Sequence, residues 1–353
     1  MKKNVAIIGY GGMGGWHEEH LLKSDVANLV GVYDIKEERQ QAARDKGIHT
    51  YDSLEQLLAD PSIDIVTIAT PNDVHREIAI KALKAGKNVI SEKPVTVSSA
   101  DLQAMIDAAN QCGKLFTVHQ NRRWDADFLA MKQIYKSGVL GDVFSIESRV
   151  HGSRGIPGDW RGQKEHGGGM MLDWGVHLID QVLQMVREKI VLIYAVMDHI
   201  TNYQVDDGFK MNITFESGKV VHVEVGTSNF INLPRWYMQG TNGTAMISDW
   251  DLSGKIVCCE NWNEKDVIPV KTAAGLTKTM APRKDDTIVE HPIPHPEPDV
   301  HDFYRNVCKA IDGLEPQLIT HPQMMRVMRV MEAAFESDRL HQVVSFTDEG
   351  CEE

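Results

Sequence analysis

Long apolar runs are missing from this 353-residue sequence. No stretch approaches the length that crosses a bilayer. The run at 5–8, behind Lys2 and Lys3, is too short for the core of a secretion signal. Surplus positive charge is missing as well: 37 Lys and Arg face 50 Asp and Glu, for a net charge of −13. Nucleic acid and anionic membranes recruit clustered basic residues, so neither is expected as a partner. Cysteine is sparse. There are five, with no C-x-x-C pair, and Cys258 and Cys259 are adjacent. This argues against a disulfide framework and for a reduced, cytoplasmic setting. Internal repeats are absent. The apolar content is enough for sizeable cores, and the length fits two domains.

Through residue 122, Val- and Ile-rich runs at 5–8, 29–33, 65–69, 88–91 and 115–118 alternate with amphipathic stretches near 13–23, 36–46, 53–59, 74–85 and 98–111. The runs are bounded by turn residues, as buried parallel strands are. Strand and helix in alternation predict a doubly wound α/β domain of Rossmann type over 1–122. After it the period changes. A helix is expected near 126–137. Then Phe209, Met211, Ile213 and Phe215 alternate with Lys210, Asn212 and Thr214, and Val221, Val223 and Val225 with His222 and Glu224. Such alternation predicts an α+β domain over 123–353, built on a mainly antiparallel sheet with one buried face. The other face is left to helices, a second subunit or water. Residues 282–298, with five prolines, read as an extended connection. Helices near 299–312 and 322–338, a short strand at 343–346 and a frayed acidic tail from 348 follow.

The strongest N-terminal signal is Gly9-Tyr10-Gly11-Gly12-Met13-Gly14, directly after the first strand and opening a helix. Gly9 permits a tight turn, Gly11 lets backbone approach a pyrophosphate, and Gly14 lets helix and strand pack closely. Asp34 ends the second strand, where a carboxylate holds the adenosine ribose and repels a 2′-phosphate. NAD is the expected cofactor, with Lys36 leaving NADP open. Thr70-Pro71-Asn72 and His75 follow the third strand, at the end where ligands bind in such sheets, although Asn72 also suits a helix cap.

Glu92-Lys93-Pro94 ends the fourth strand. An ammonium there suits a substrate hydroxyl and the alkoxide it becomes. Gly167-Gly168-Gly169 precede a helix carrying Asp173 and His177, four apart and so on one face. His177 is the candidate general base and Asp173 its orienting or hydroxyl-holding partner. The cofactor set is completed by Gly12, Met13, Glu92, Lys93 and Asn121. Candidates for substrate contact are Trp160 and Arg161 before the glycine run, Arg123 beside Asn121, Arg122 and Trp124, and His151 and Tyr237. The His17-Glu18-Glu19-His20 run has the wrong spacing for a zinc motif, and no metal is expected.

The motifs G-x-G-x-x-G-x-x-H, T-P-N-x-x-H, A-G-K-x-V-x-x-E-K-P and G-G-G-x-x-x-D-x-G-x-H, spread over the chain, resemble those of the Gfo/Idh/MocA oxidoreductases. The resemblance implies a second domain with a large open-faced sheet used for dimer or tetramer contacts. It also implies catalytic roles for Lys93, Asp173 and His177. The expected activity is hydride transfer between NAD and a secondary alcohol of a sugar, inositol or glycoside. Two alternatives stand beside it: transient oxidation of a glycoside on a recycled NAD, and a non-catalytic NAD-binding sensor. Retention of Lys93, Asp173 and His177 argues against the sensor.

Overall fold

The structure, a computed structural model, describes residues 1–263 and 268–348. Cys351 and the tail beyond Asp348 lie outside the described residues. Asp348 itself is held: it accepts the Ile190 N–H (2.8 Å) and pairs with Arg326 (2.8 Å).

Five strands form the first sheet: β1 (Lys3–Ile8), β2 (Ala27–Tyr33), β3 (Ile65–Ile68), β4 (Asn88–Ser91) and β5 (Phe116–Val118). All are parallel, in the order β2-β1-β3-β4-β5. Helices α1 (Gly12–Leu22), α2 (Glu37–Asp45), α3 (Leu54–Ala59), α4 (His75–Lys84) and α5 (Ser99–Cys112) connect them. The inner strands are buried on both faces because almost every side chain is aliphatic. Ser53 and Ser98 cap α3 and α5 by accepting the N–H groups of Gln56 and Asp101. The strand order reverses between β1 and β3, which opens a crevice at their C-terminal ends.

The second domain begins with α6 (Ala126–Ser137) and β6 (Val143–His151). It continues through α7 (Val176–Met185), β7 (Ile190–Asp198), β8 (Gly208–Phe215), β9 (Val220–Gly226), β10 (Trp236–Gly240), β11 (Gly243–Ile247) and β12 (Gly254–Cys259). A hairpin of β13 (Val270–Thr272) and β14 (Gly275–Thr277) precedes β15 (Ile288–His291), α8 (Asp302–Ile311), α9 (His321–Leu340) and β16 (Val344–Ser345). Nine strands make one sheet, β15-β12-β11-β10-β6-β9-β8-β7-β16, in which β6 and β9 pair in parallel and the other pairs are antiparallel. The stretch expected as extended connection contains β15. Its residues lie between prolines and keep the N–H groups with which they pair, as an edge strand, with β12.

α6, α7 and α9 cover one face of this sheet. No described element covers the other face, which carries Glu147, Arg149, Lys210, Asn212, His222 and Glu224. There Arg149 donates to Glu224 (3.1 Å), and His222 contacts Asn212 (3.0 Å). Residues after 122 also return to the first domain. On α8, Tyr304 reaches His17 and Thr67; near α9, His321 and Ile319 bond to Phe116 and Thr117 of β5.

Candidate active site

The glycine turn after β1 is built by close packing. Gly9 has φ +91°, and a Cβ there would sit 2.6 Å from the Ala69 carbonyl oxygen. A Cβ on Gly14 would overlap the Gly9 carbonyl oxygen. Gly12 has open space instead. The first turn of α1, including Met13, has no side-chain cap, so its N–H groups face that space with the positive end of the helix dipole. Asp34 is buried at the end of β2. It accepts the N–H groups of Tyr10 (2.7 Å) and Lys36 (2.9 Å), and Arg39 donates to it (3.2 Å). Arg39 also lies beside Gly11. The sequence reading considered Lys36 near the ribose and missed Arg39, which α2 brings back over the glycine turn.

Lys93 follows β4, and its bond to Pro94 is cis. Its ammonium donates to both the carbonyl and Oδ1 of Asp173 (3.0 Å each). Arg161 donates to Asp173 Oδ2 (3.2 Å). Burial alone would raise the Asp173 pKa, but the two cations outweigh it and hold the carboxyl below its ordinary value. His177 is buried. Burial first, then the charges of Lys93 and Arg122, keep its pKa well below 6.5, so the imidazole is neutral. Asp173 lies in a π-helical turn, Met171–Gly175, that runs into α7.

The three glycines before that turn each meet a different element. A Cβ on Gly167 would press on Val97, one on Gly168 would overlap the Arg161 carbonyl oxygen, and one on Gly169 would overlap the Asp206 carboxylate. Asp206 in turn accepts the Met171 N–H (2.6 Å). The run thus seats the Asp173 turn against the Arg161 loop and the first domain.

Below Lys93 lies a buried polar network. Glu92 Oε1 meets His17 Nε2 (2.8 Å) and His119 Nδ1 (2.7 Å), while Glu92 Oε2 accepts the Lys93 N–H (3.1 Å). Tyr304 meets the other nitrogen of His17 (2.9 Å). Burial opposes the Glu92 charge, but His119 and His17 hold its pKa well below 4.5. His17, Glu92 and His119 resemble a metal ligand set. Their N···O separations are those of N–H···O bonds, whereas ligands on one zinc ion would stand about 3.3 Å apart. His20 turns away to the Trp16 carbonyl (2.8 Å).

The remaining sequence candidates separate. Asn72 donates to the Gly167 carbonyl (2.9 Å), and His75 contacts the carbonyls of Thr70 and Pro94 (2.9 and 3.1 Å). Both brace the loops around Lys93, and the Glu92 carboxylate is consumed by its network. Arg123 forms two bonds to Asp180 (2.8 and 2.7 Å) and another to the Leu318 carbonyl, which makes it a structural tie. His151, which accepts the Leu233 N–H (3.2 Å), and Tyr237 sit on the open face of the large sheet, away from the helix-covered face that bears His177. Alternation along β6 and β10 decides this: Ser148 and Trp236 point inward, so His151 and Tyr237 point outward. Arg161, stacked on Trp160, does reach the site.

Four buried polar atoms around the crevice have no protein partner: Thr70 Oγ1, Asn121 Oδ1, His119 Nε2 and His177 Nδ1. Buried polar atoms are seldom left unpaired. With the open helix end and Asp34, they fit an extended dinucleotide.

Residues 3–120 match the model of the oxidoreductase family with an NAD-binding Rossmann fold, and residues 128–246 match the GFO/IDH/MocA C-terminal domain. The chain belongs to the Gfo/Idh/MocA oxidoreductase family. It is 45% identical to an NAD-binding protein from Listeria innocua of known structure, with a TM-score of 0.95 over 98% of this chain and 99% of that one. It is 28% identical to the scyllo-inositol 2-dehydrogenase (NADP(+)) IolW of Bacillus subtilis, over 95% of this chain and 93% of that protein. It is also 28% identical to the 2,7-anhydro-N-acetylneuraminate hydratase of Escherichia coli, over 72% of this chain and 69% of that protein.

Proposed function

We propose that this oxidoreductase transfers a hydride between NAD and a secondary alcohol of a sugar, inositol or glycoside. The observation that carries the reading is the Lys93–Asp173 pair beside a buried, neutral His177 at the crevice of the NAD-binding domain. A neutral imidazole accepts the hydroxyl proton. Lys93 faces the oxygen on which charge develops, and Asp173, fixed by Lys93 and Arg161, holds the hydroxyl in line. Nicotinamide, when bound, supplies the hydride acceptor. Gly9, Gly11, Gly12, Met13 and Gly14 would hold its pyrophosphate, Asp34 the adenosine ribose, and Thr70 and Asn121 the nicotinamide half. Asp34 favours NAD, while the Arg39 guanidinium beside it offers a partner for the 2′-phosphate of NADP.

The kinship with a hydratase favours one second reading, in which the alcohol is oxidised only transiently and the cofactor is restored within each cycle. We further place the protein in the cytoplasm as a homodimer or homotetramer joined through the open sheet face. Its described cysteines are free thiols, as a reducing compartment would keep them. The test is reduced-nicotinamide absorbance during a screen of sugars, inositols and glycosides with NAD and, separately, NADP. A steady rise with one polyol class supports the dehydrogenase. A substrate consumed with no net rise supports internal recycling. NAD binding without conversion of any polyol contradicts both.

A further inference from the structure

A ladder of indoles and guanidiniums leads away from His177. The Trp174 ring stands edge-on to the imidazole at 6.0 Å, and Trp250 lies a further 6.0 Å from Trp174. Arg122 covers Trp174 at 4.1 Å and reaches Trp250 at 5.5 Å. Arg235 lies between Trp250 and the buried Trp236, at 5.0 and 4.6 Å. Two guanidiniums this close to the ring centroids hold the indoles in position. Trp250 nevertheless keeps 46% of its surface exposed. It sits in the turn between β11 and β12, where Leu252 has φ +63°, a conformation that leucine rarely adopts.

The charges of the ladder are already neutralised. Arg122 pairs with Asp125 (2.9 Å) and Arg235 with Asp127 (3.0 Å). No surplus cation is left to attract a phosphate. What remains is a rigid apolar platform two ring-to-ring steps from the base, a separation that suits a neighbouring sugar residue better than another group on the reacting ring.

We propose that Trp250, backed by Trp174 and Arg122, is a second subsite that binds the non-reacting ring of a neutral glycoside by stacking on its C–H face. The inference rests on the sugar reading above and narrows it from free monosaccharides and inositols to glycosides. Trp174 shields His177 from solvent on that side, and Arg122 is a positioning residue.

The test titrates the NAD-loaded protein by calorimetry with maltose, cellobiose and lactose, and with glucose and myo-inositol, for wild type, Trp250→Ala and Trp250→Phe. Wild type is expected to bind one disaccharide more tightly than either single ring. Trp250→Ala should lower the ratio of disaccharide to single-ring affinity about tenfold, the size of one aromatic stacking contact, and Trp250→Phe should restore much of it. An equal loss for both classes would mark Trp250 as structural and overturn the proposal, as would single rings binding at least as tightly as every disaccharide. If none of the five sugars binds, the sugar reading itself fails and takes this inference with it.

Discussion

At the scale of single residues, the site works by setting protonation states through its neighbours. His177 is kept neutral by burial and by two cations, so the acidic limb of the kcat/KM profile should fall well below pH 6.5; a limb at or above that value would remove His177 as the base. His177→Ala should cost about 10²–10⁴-fold in turnover while NAD affinity stays intact. Stability carries the same signature. His17 has a pKa lowered to about 4, against an unfolded value near 6.5. Between those values the unfolded chain binds a proton that the folded one does not. Its contribution is therefore present above pH 6.5 and is lost as pH falls, by about 1.4 kcal/mol per pH unit until about pH 4. Denaturant titrations at pH 7 and pH 5 measure this, with His17→Gln expected to flatten the slope. Asp34 and Arg39 divide the cofactor question. Arg39→Ala should weaken NADP binding more than NAD binding, and a loss equal for both would mean that the guanidinium serves only to hold Asp34.

At the scale of elements, the first domain was readable because period and punctuation agree there. Glycine after β1, serine at the starts of α3 and α5 and unbroken aliphatic strands all act locally, and the bounds came out within a few residues. The Asp173–His177 segment was readable in part. The spacing of Asp173 and His177 placed them together, but the π-helical turn between them depends on Asp206 capping Met171 and on packing against Gly169, which are contacts distant in sequence. Gly169→Ala tests that turn. Its φ of +109° and the Asp206 carboxylate at the Cβ position leave no room, so destabilisation of about 1–3 kcal/mol is expected in chemical unfolding, with Asp173 displaced and turnover lost. An active, equally stable variant would show that the run is not needed to seat Asp173. His151 and Tyr237 illustrate the opposite limit. Residue type suited a cleft, but strand alternation sends both to the far face, and a sequence shows which residues share a face before it shows which face meets the cofactor.

At the scale of the whole molecule, two sheets share one crevice, and the chain crosses between them more than once. α8 returns from the second domain to place Tyr304 against His17, one layer beneath Lys93. That return was invisible in sequence, since it joins residues hundreds of positions apart. His119 and Trp250 were missed because each reaches its partners, Glu92 and Trp174, only through tertiary packing. The uncovered sheet face carries partly exposed Leu192, Tyr194 and Val196 beside its charged ladder, a mixture suited to a second copy of the chain. Light scattering should therefore give a dimer or tetramer, and a monomer at micromolar concentration would contradict that assembly. The central claim is hydride transfer at the Lys93–Asp173–His177 centre. Its most direct test is a single-turnover experiment in which stoichiometric NAD-loaded protein is mixed with excess of each polyol and reduced nicotinamide is followed by absorbance. The account predicts a burst with at least one polyol in wild type and none in His177→Ala. No burst with any polyol, or an equal burst in the variant, would contradict it.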